Sequence, residues 1–163
     1  SGKTSTGKIL ARRLGYRLMD TDRFLEEQTG MKIRTIFRKH GEVYFRALES
    51  RLCRRIPGLK KIVVATGGGI VLNPDNMKNL GKNGLIVNLR ASPDVLWLRV
   101  RHKKNRPLLN VEEPSAVLKK LWKQRKPFYD RADLIIRTDA LSVAQTADKI
   151  ISLLMKRYGF PGT

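Results

Sequence analysis

The chain has 163 residues, of which 41% are hydrophobic, and this length and composition predict one globular domain rather than a disordered segment. It carries 34 Lys and Arg against 14 Asp and Glu, a formal net charge of +20, but the basic residues are scattered along the chain without a zinc-finger or aromatic RNA-binding signature. We therefore do not expect nucleic acid to be the main partner, and the absence of any apolar run near ~18 residues excludes a membrane span.

The chain begins with the second half of a phosphate-binding pattern. Gly2, Lys3 and Thr4 fit the end of G-x-x-x-x-G-K-[ST], and a predicted helix runs from about Thr4 to Leu14. In that pattern, backbone N–H groups and the lysine bind nucleotide phosphates, and the hydroxyl ligates Mg²⁺. The first half of the pattern is absent, and Gly-Lys-Thr also occurs in ordinary turns, so the half-motif alone leaves both interpretations open.

Apolar strands and amphipathic helices alternate after this helix, which predicts a parallel α/β sheet. Glycines break the predicted helical region 22–56 at two positions, and Ser142 is placed to cap the final helix. No linker or repeat divides the chain, so we treat residues 1–163 as a single domain. The predicted strands are 16–19, 62–65, 85–89 and 134–136.

Cys53, the only cysteine, excludes an internal disulfide and is typical of a reducing, cytoplasmic location. It follows Leu48 and Leu52 on an apolar helical stripe. We therefore predict a buried side chain rather than a reactive thiol.

Polar signals stand at the ends of two predicted strands, where parallel sheets bind their ligands. Asp20-Thr21-Asp22 offers one carboxylate near a magnesium ion and another toward an acceptor hydroxyl, although the same triplet also serves as a turn or a helix cap. Gly67-Gly68-Gly69 follows a buried strand. Consecutive glycines suit a backbone that approaches a ligand closely and exposes its N–H donors.

Arginines supply the remaining candidates. Arg46 follows Phe45 and has Glu49 three residues further on, close enough to orient it, although an ordinary surface ion pair has the same spacing. Arg106 ends a polar, basic stretch that could close as a lid, and Arg125 ends a basic helix.

Taken together, these motifs resemble the shikimate kinase family of small P-loop kinases. They occur in the family's order and cover nearly the whole chain. The matching pieces are Ser1-Gly2-Lys3-Thr4, Asp20-Thr21-Asp22, Ile36-Phe37, Gly41-Glu42, Phe45-Arg46 with Glu49, Thr66-Gly67-Gly68-Gly69, Arg106-Pro107-Leu108-Leu109, and Arg125-x-Pro127-x-Tyr129.

The resemblance implies a five-stranded parallel sheet between layers of helices, with its first strand absent from this chain. It implies a helical substrate-binding subregion over about 22–56 and a lid over about 101–111. The implied reaction is MgATP-dependent phosphorylation of the 3-hydroxyl of shikimate, a step of aromatic amino-acid biosynthesis.

The resemblance also assigns roles to single residues. Thr4 would ligate Mg²⁺, and Asp20 would hold that ion through water. Asp22 would be the catalytic base, and Lys3 and Arg106 would act on the phosphates. Arg46 and Arg125 would bind the substrate carboxylate beside the glycine N–H groups. The implied ATP-binding residues are Ser1, Gly2, Lys3, Thr4, Ser5, Arg106 and Leu141, with Arg99 or Arg101 near adenine, and the implied substrate-binding residues are Asp22, Arg46, Gly67, Gly68, Gly69 and Arg125.

Two alternatives and several expectations accompany this interpretation. A gluconate or nucleotide kinase would share the phosphate-binding half-motif, and a binding module could use the fold without catalysis. We expect a monomer and have no explanation for the +20 charge. We also expect about ten further residues before Ser1, forming an apolar strand and a glycine-containing turn; without them, poor expression and weak ATP binding are expected because buried strand edges would stay unpaired.

Overall fold

A computed structural model describes residues 2–100 and 113–160 of the chain. Helices and short parallel strands alternate, as the sequence predicts. The first helix and the strands lie close to their predicted bounds, whereas helices α4 and α6 have no counterpart of that length among the predicted elements. The helices are α1 Lys3–Leu14, α2 Thr21–Thr29, α3 Ile33–Arg55, α4 Pro74–Gly81, α5 Pro93–Val100, α6 Pro114–Tyr129 and α7 Val143–Tyr158; the strands are β1 Arg17–Asp20, β2 Ile62–Ala65, β3 Val87–Arg90 and β4 Leu134–Arg137.

The strands form two parallel pairs, β1 with β2 and β3 with β4. Within the described residues, 2–100 and 113–160, no strand lies between β2 and β3 and pairs with both. A cavity of about 1050 Å³ separates them, lined by β2 and β3 together with Leu10 and Leu14 of α1.

Helix α1 lies against the strands and against α7 because small and apolar side chains meet there. A Cβ atom on Gly7 would approach Leu18 Cδ1 to 3.1 Å, so the glycine lets the helix lie close to β1. Leu10 packs with Ile150 and Leu154 of α7 in one buried cluster. The helix begins after Gly2, whose φ of 82° favours glycine. This packing fixes the phosphate-binding half-motif at one end of the strands.

A second apolar cluster holds together the helices of the region 22–56, for which the resemblance implies substrate binding. Ile36, Phe45 and Leu52 of α3 are buried against Leu25 of α2. Gly41, with a φ of 80° and a ψ of 175°, is not helical, so two helical halves of α3 meet at a bend there and the predicted break at this glycine is confirmed. The bend lets both halves of α3 pack on the same core. In the part of the chain that the structure describes, no helix has the length and apolar character needed to cross a membrane.

Cys53 is fully buried in α3, which confirms the predicted burial of this side chain. Burial raises the pKa of the thiol from 9.0 to about 12. We expect a soluble disulfide reagent at pH 8 to label native Cys53 about 10³-fold more slowly than the unfolded chain, from the smaller thiolate fraction alone. Absorbance of the released thiol dye measures both rates. Equal rates in buffer and in denaturant would contradict the buried position.

Candidate active site

The two carboxylates of Asp20-Thr21-Asp22 have different positions because a helix begins between them. Asp20 ends β1 and caps α2, its Oδ1 accepting hydrogen bonds from the N–H of Asp22 at 3.1 Å and of Arg23 at 3.2 Å. Asp22 lies in the first turn of α2 and is half-buried. The triplet therefore lies at the C-terminal end of the strand, as the sequence predicts, and Asp20 also has the helix-cap role that the sequence left open.

Asp20 also reaches the phosphate-binding half-motif. Thr4 Oγ1 donates a 2.7 Å hydrogen bond to Asp20 Oδ2, joining α1 to the end of β1. A hydroxyl and a carboxylate oxygen at this distance are the hard ligands that Mg²⁺ prefers. Among the residues described, no group of three or more His, Cys, Asp or Glu could enclose a metal ion. This donor set fits Mg²⁺, which is usually held by one or two protein oxygens together with substrate phosphates.

The loop Gly67-Gly68-Gly69 lies at the centre of the site, and polar side chains crowd each glycine. A Cβ atom on Gly67 would lie 2.7 Å from Asp22 Oδ1. One on Gly69 would lie 2.6 Å from Arg46 Cζ. Neither position tolerates a side chain without moving a charged group. The three glycines are therefore explained by close approach of the candidate site residues, and their φ values are not left-handed.

Arg46 is held by two carboxylates of its own helix. Its Nη1 donates to Glu49 Oε2 at 2.6 Å, and its Nη2 donates to Glu42 Oε1 at 2.7 Å. Although burial acts to lower the pKa of Arg46, the bonds to Glu49 and Glu42 raise it. The guanidinium is therefore fixed and charged. The predicted pairing with Glu49 is confirmed, and the pairing with Glu42 is an addition.

Glu49 is fully buried beneath the glycine loop. Burial raises the pKa of this carboxyl above its usual value, and the bond to Arg46 offsets the effect only in part. Its second oxygen, Oε1, accepts no hydrogen bond from a described residue and would lie 3.0 Å from a Cβ atom on Gly67. The site thus keeps one buried acceptor directed toward the loop.

Helix α6 contributes two side chains from its last turns. A Cβ atom on Gly68 would lie 3.6 Å from Arg125 Nη1 and 3.5 Å from the Tyr129 hydroxyl. The tyrosine hydroxyl donates a 2.7 Å hydrogen bond to the carbonyl oxygen of Gly68. Arg46 and Arg125 thus approach the same loop at neighbouring glycines. The predicted pair of arginines is brought together.

Of the residues that the resemblance places near adenine, Arg99 and Leu141 lie within the described part of the chain. Arg99, in the last turn of α5, donates to Thr138 Oγ1 at 3.1 Å and to the Thr138 carbonyl oxygen at 2.6 Å. The N–H of Leu141 donates to the same carbonyl at 3.4 Å. Arg99 and Leu141 therefore adjoin one loop after β4. Ser1, Arg101, Arg106 and the predicted lid lie outside the described residues.

Sequence reasoning gave no role to two residues that contact the glycine loop. Thr21 is fully buried, and its Oγ1 accepts a 3.0 Å hydrogen bond from the N–H of Gly67. Tyr129 appeared in a motif without a function. Thr21 stands between two candidate carboxylates in the sequence, but no spacing rule indicates a partner 46 residues away.

A helix N-terminus of the phosphate-binding type, joined through Thr4 and Asp20 to a pocket with two arginines, defines the class of protein. This is a small-molecule kinase of the P-loop type. Comparison with known proteins gives the family: the model described as shikimate kinase matches residues 1–155. The chain belongs to the shikimate kinase family.

Curated relatives and solved structures agree with this assignment. The shikimate kinase of Thermodesulfovibrio yellowstonii is 46% identical over 93% of this chain and 87% of its own length. That of Caldanaerobacter subterraneus subsp. tengcongensis is 42% identical over 98% of this chain and 93% of its own. The solved structure of shikimate kinase from Acinetobacter baumannii in complex with shikimate is 37% identical over 96% of this chain and 88% of that chain, with a TM-score of 0.93. The predicted fold class is confirmed.

Proposed function

We propose that this protein transfers the γ-phosphoryl group of ATP to the 3-hydroxyl of shikimate, a step of aromatic amino-acid biosynthesis. One observation carries the proposal: Asp22, Arg46 and Arg125 all converge on the glycine loop. A base and two cations around exposed backbone donors match a substrate with a carboxylate and neighbouring hydroxyls. The solved relative in complex with shikimate supports the same substrate.

The substrate carboxylate binds Arg46 and Arg125. Planar guanidinium groups bind carboxylates bidentately, which a lysine cannot do. The Arg46 side chain is only 25% exposed and already forms an ion pair with Glu49. It therefore loses little conformational freedom when the substrate binds. Glu42 is half exposed and binds the same guanidinium, so the substrate carboxylate replaces this contact. Gly67, Gly68 and Gly69 border the substrate through their backbone.

The nucleotide phosphates bind at the N-terminus of α1. The N–H groups of the first turn point outward there, and Lys3 adds a positive charge, with Gly2 and Ser5 beside it. Thr4 and Asp20 would hold Mg²⁺, which would neutralise charge on the phosphates. Arg99 and Leu141, which both bond to the Thr138 carbonyl oxygen, lie next to the proposed adenine position. The resemblance assigns Ser1, Arg101 and Arg106 to the nucleotide as well.

Asp22 performs the proton transfer. Its carboxylate accepts the proton of the 3-hydroxyl while the hydroxyl oxygen forms a bond to the γ-phosphorus. The bond from that phosphorus to the β,γ-bridging oxygen breaks, and ADP leaves with the electron pair. Phosphoryl transfer depends on positioning and charge more than on covalent chemistry, so the fixed side chains around the loop supply most of what the reaction needs.

The remaining expectations concern partners and location. A monomer suffices, because every residue assigned to the site comes from one chain. The buried Cys53 suits a reducing cytoplasm. Nucleic acid plays no part in the proposed reaction.

An ADP-release assay with several acceptors tests the proposal. With MgATP, the protein should release ADP at a substantial rate only when shikimate is present, and not with gluconate or nucleoside monophosphates. Omitting Mg²⁺ is the control for the metal, and chelation should abolish the rate. An ADP-release rate with gluconate equal to that with shikimate, or no ADP release with shikimate, would contradict the proposal.

A further inference from the structure

The glycine loop is held from two sides by side chains that the proposed reaction does not use. On one side, Thr21 Oγ1 accepts the N–H of Gly67 at 3.0 Å. On the other, the Tyr129 hydroxyl donates to the carbonyl oxygen of Gly68 at 2.7 Å. Both contacts join distant parts of the chain, 46 and 61 residues apart. A loop of consecutive glycines has no side chains of its own to fix it. These two side-chain contacts therefore hold its conformation, together with the backbone hydrogen bonds that Ile70 and Leu72 donate to the Gly67 and Gly69 carbonyls.

Because a peptide unit is planar, a hydrogen bond to its carbonyl oxygen also sets the direction of its N–H group. The peptide unit between Gly68 and Gly69 is planar and trans, so its carbonyl and its N–H point in opposite directions. By fixing the Gly68 carbonyl, Tyr129 fixes the direction of the Gly69 N–H. Within residues 2–100 and 113–160, no group accepts a hydrogen bond from the N–H of Gly68 or Gly69. These donors stay available to a ligand.

The two anchors also link the loop to the residues proposed for chemistry. Thr21 is the first residue of α2, directly between Asp20 and Asp22, and is fully buried. Tyr129 lies one helical turn after Arg125 on α6. The positions of the loop N–H groups are thereby fixed relative to the proposed base, Asp22, on one side and to the proposed carboxylate-binding Arg125 on the other.

We propose that Thr21 and Tyr129 are positioning residues that orient the Gly68 and Gly69 N–H groups toward the oxygens of the bound substrate. The proposal rests on the proposed function for the identity of that substrate. Thr21 acts on the Thr66–Gly67 peptide unit, because it accepts the N–H of Gly67. Tyr129 acts on the Gly68–Gly69 peptide unit, because it donates to the carbonyl oxygen of Gly68. Neither side chain contacts the phosphates, so substrate binding and turnover depend on them more than ATP binding does.

Three variants test the proposal by kinetics. Thr21→Val keeps the shape and removes the acceptor, Thr21→Ser restores the hydroxyl, and Tyr129→Phe removes the donor. Thr21→Val and Tyr129→Phe should each raise the KM for shikimate about fivefold or more, since a hydrogen bond contributes about that factor. The KM for ATP should change less than twofold, and Thr21→Ser should behave like wild type.

Two matched controls separate positioning from general destabilisation. Thr146 is a buried threonine of α7 whose hydroxyl donates to the Ser142 carbonyl, away from the site. Tyr44 is a half-exposed tyrosine of α3. Thr146→Val should lower thermal stability by an amount similar to Thr21→Val, and both control variants should leave the KM for shikimate unchanged. A rise in the KM for ATP as large as that for shikimate in Thr21→Val would overturn the proposal, as would a Thr21→Ser variant as impaired as Thr21→Val.

Amide hydrogen exchange of the ligand-free protein gives a second readout that does not need activity. The Gly67 amide should exchange at least tenfold faster in Thr21→Val than in wild type or Thr21→Ser, because its acceptor is gone. The same rate in all three proteins would refute the anchoring. Failure of the proposed function has a different signature: wild type would show no shikimate-dependent turnover, while the Gly67 amide would still respond to Thr21→Val.

Discussion

Replacing Asp22 with asparagine is expected to lower turnover by about 10²–10⁴-fold and to leave ATP binding nearly unchanged. The substitution preserves the size of the side chain but removes the group that accepts the proton, and general-base catalysis contributes a factor of this order. Asp22 Oδ1 points at the glycine loop, lying where it would meet a Cβ atom on Gly67 at 2.7 Å. Steady-state kcat and an equilibrium titration with nucleotide measure the two effects separately.

The control for Asp22→Asn is the same change in another helix. Asp75 also lies in a first helical turn, that of α4, and is exposed. Asp75→Asn should retain wild-type kcat and wild-type nucleotide affinity. If kcat of Asp22→Asn stays within a few-fold of wild type, Asp22 positions the substrate and does not take its proton.

Replacing Arg46 with lysine is expected to raise the KM for shikimate about 30-fold, equivalent to about 2 kcal/mol. The positive charge stays, but the planar fork that binds a carboxylate through two hydrogen bonds is lost. ATP affinity should change little, because Arg46 lies on α3 beside Gly69 and not at the N-terminus of α1. Kinetics with each substrate varied in turn measures the difference.

An analogue of shikimate without its carboxylate sharpens this experiment. It should bind wild type weakly and be almost insensitive to Arg46→Lys. Arg51→Lys, an exposed change further along α3, is the matched control and should leave both KM values at wild type. Equal sensitivity of shikimate and the analogue to Arg46→Lys would show that Arg46 supports the helix through Glu49 and does not bind the carboxylate.

Sequence patterns predicted the parts of the fold that depend on local chemistry. The end of α1 at Leu14 and the cap of α7 at Ser142 are local features, and both are present. The pairing of β1 with β2 and of β3 with β4 depends on contacts between distant segments, which periodicity does not contain. Helix α4 begins with an Asn73 cap and Pro74, a signal present in the sequence that was not interpreted.

The candidate site shows the same division. Arg46 with Glu49 follows from helical spacing, and the triple glycine indicates close approach. Which groups approach each glycine is a tertiary property: Asp22, Arg125 and Arg46 come from three different helices. Thr21 was hidden for the same reason, because a buried threonine at a helix start has the pattern of an ordinary first-turn residue. Its partner becomes visible only when β2 is placed beside β1.

Identification of the product by NMR tests the central claim most directly. After incubation with MgATP and shikimate, a phosphorus–proton correlation spectrum should show one new phosphate ester coupled to the proton on carbon 3 of shikimate, in an amount equal to the ADP formed. A phosphate coupled to a proton of another ring carbon, or ADP accompanied only by inorganic phosphate, would contradict the proposed transfer to the 3-hydroxyl.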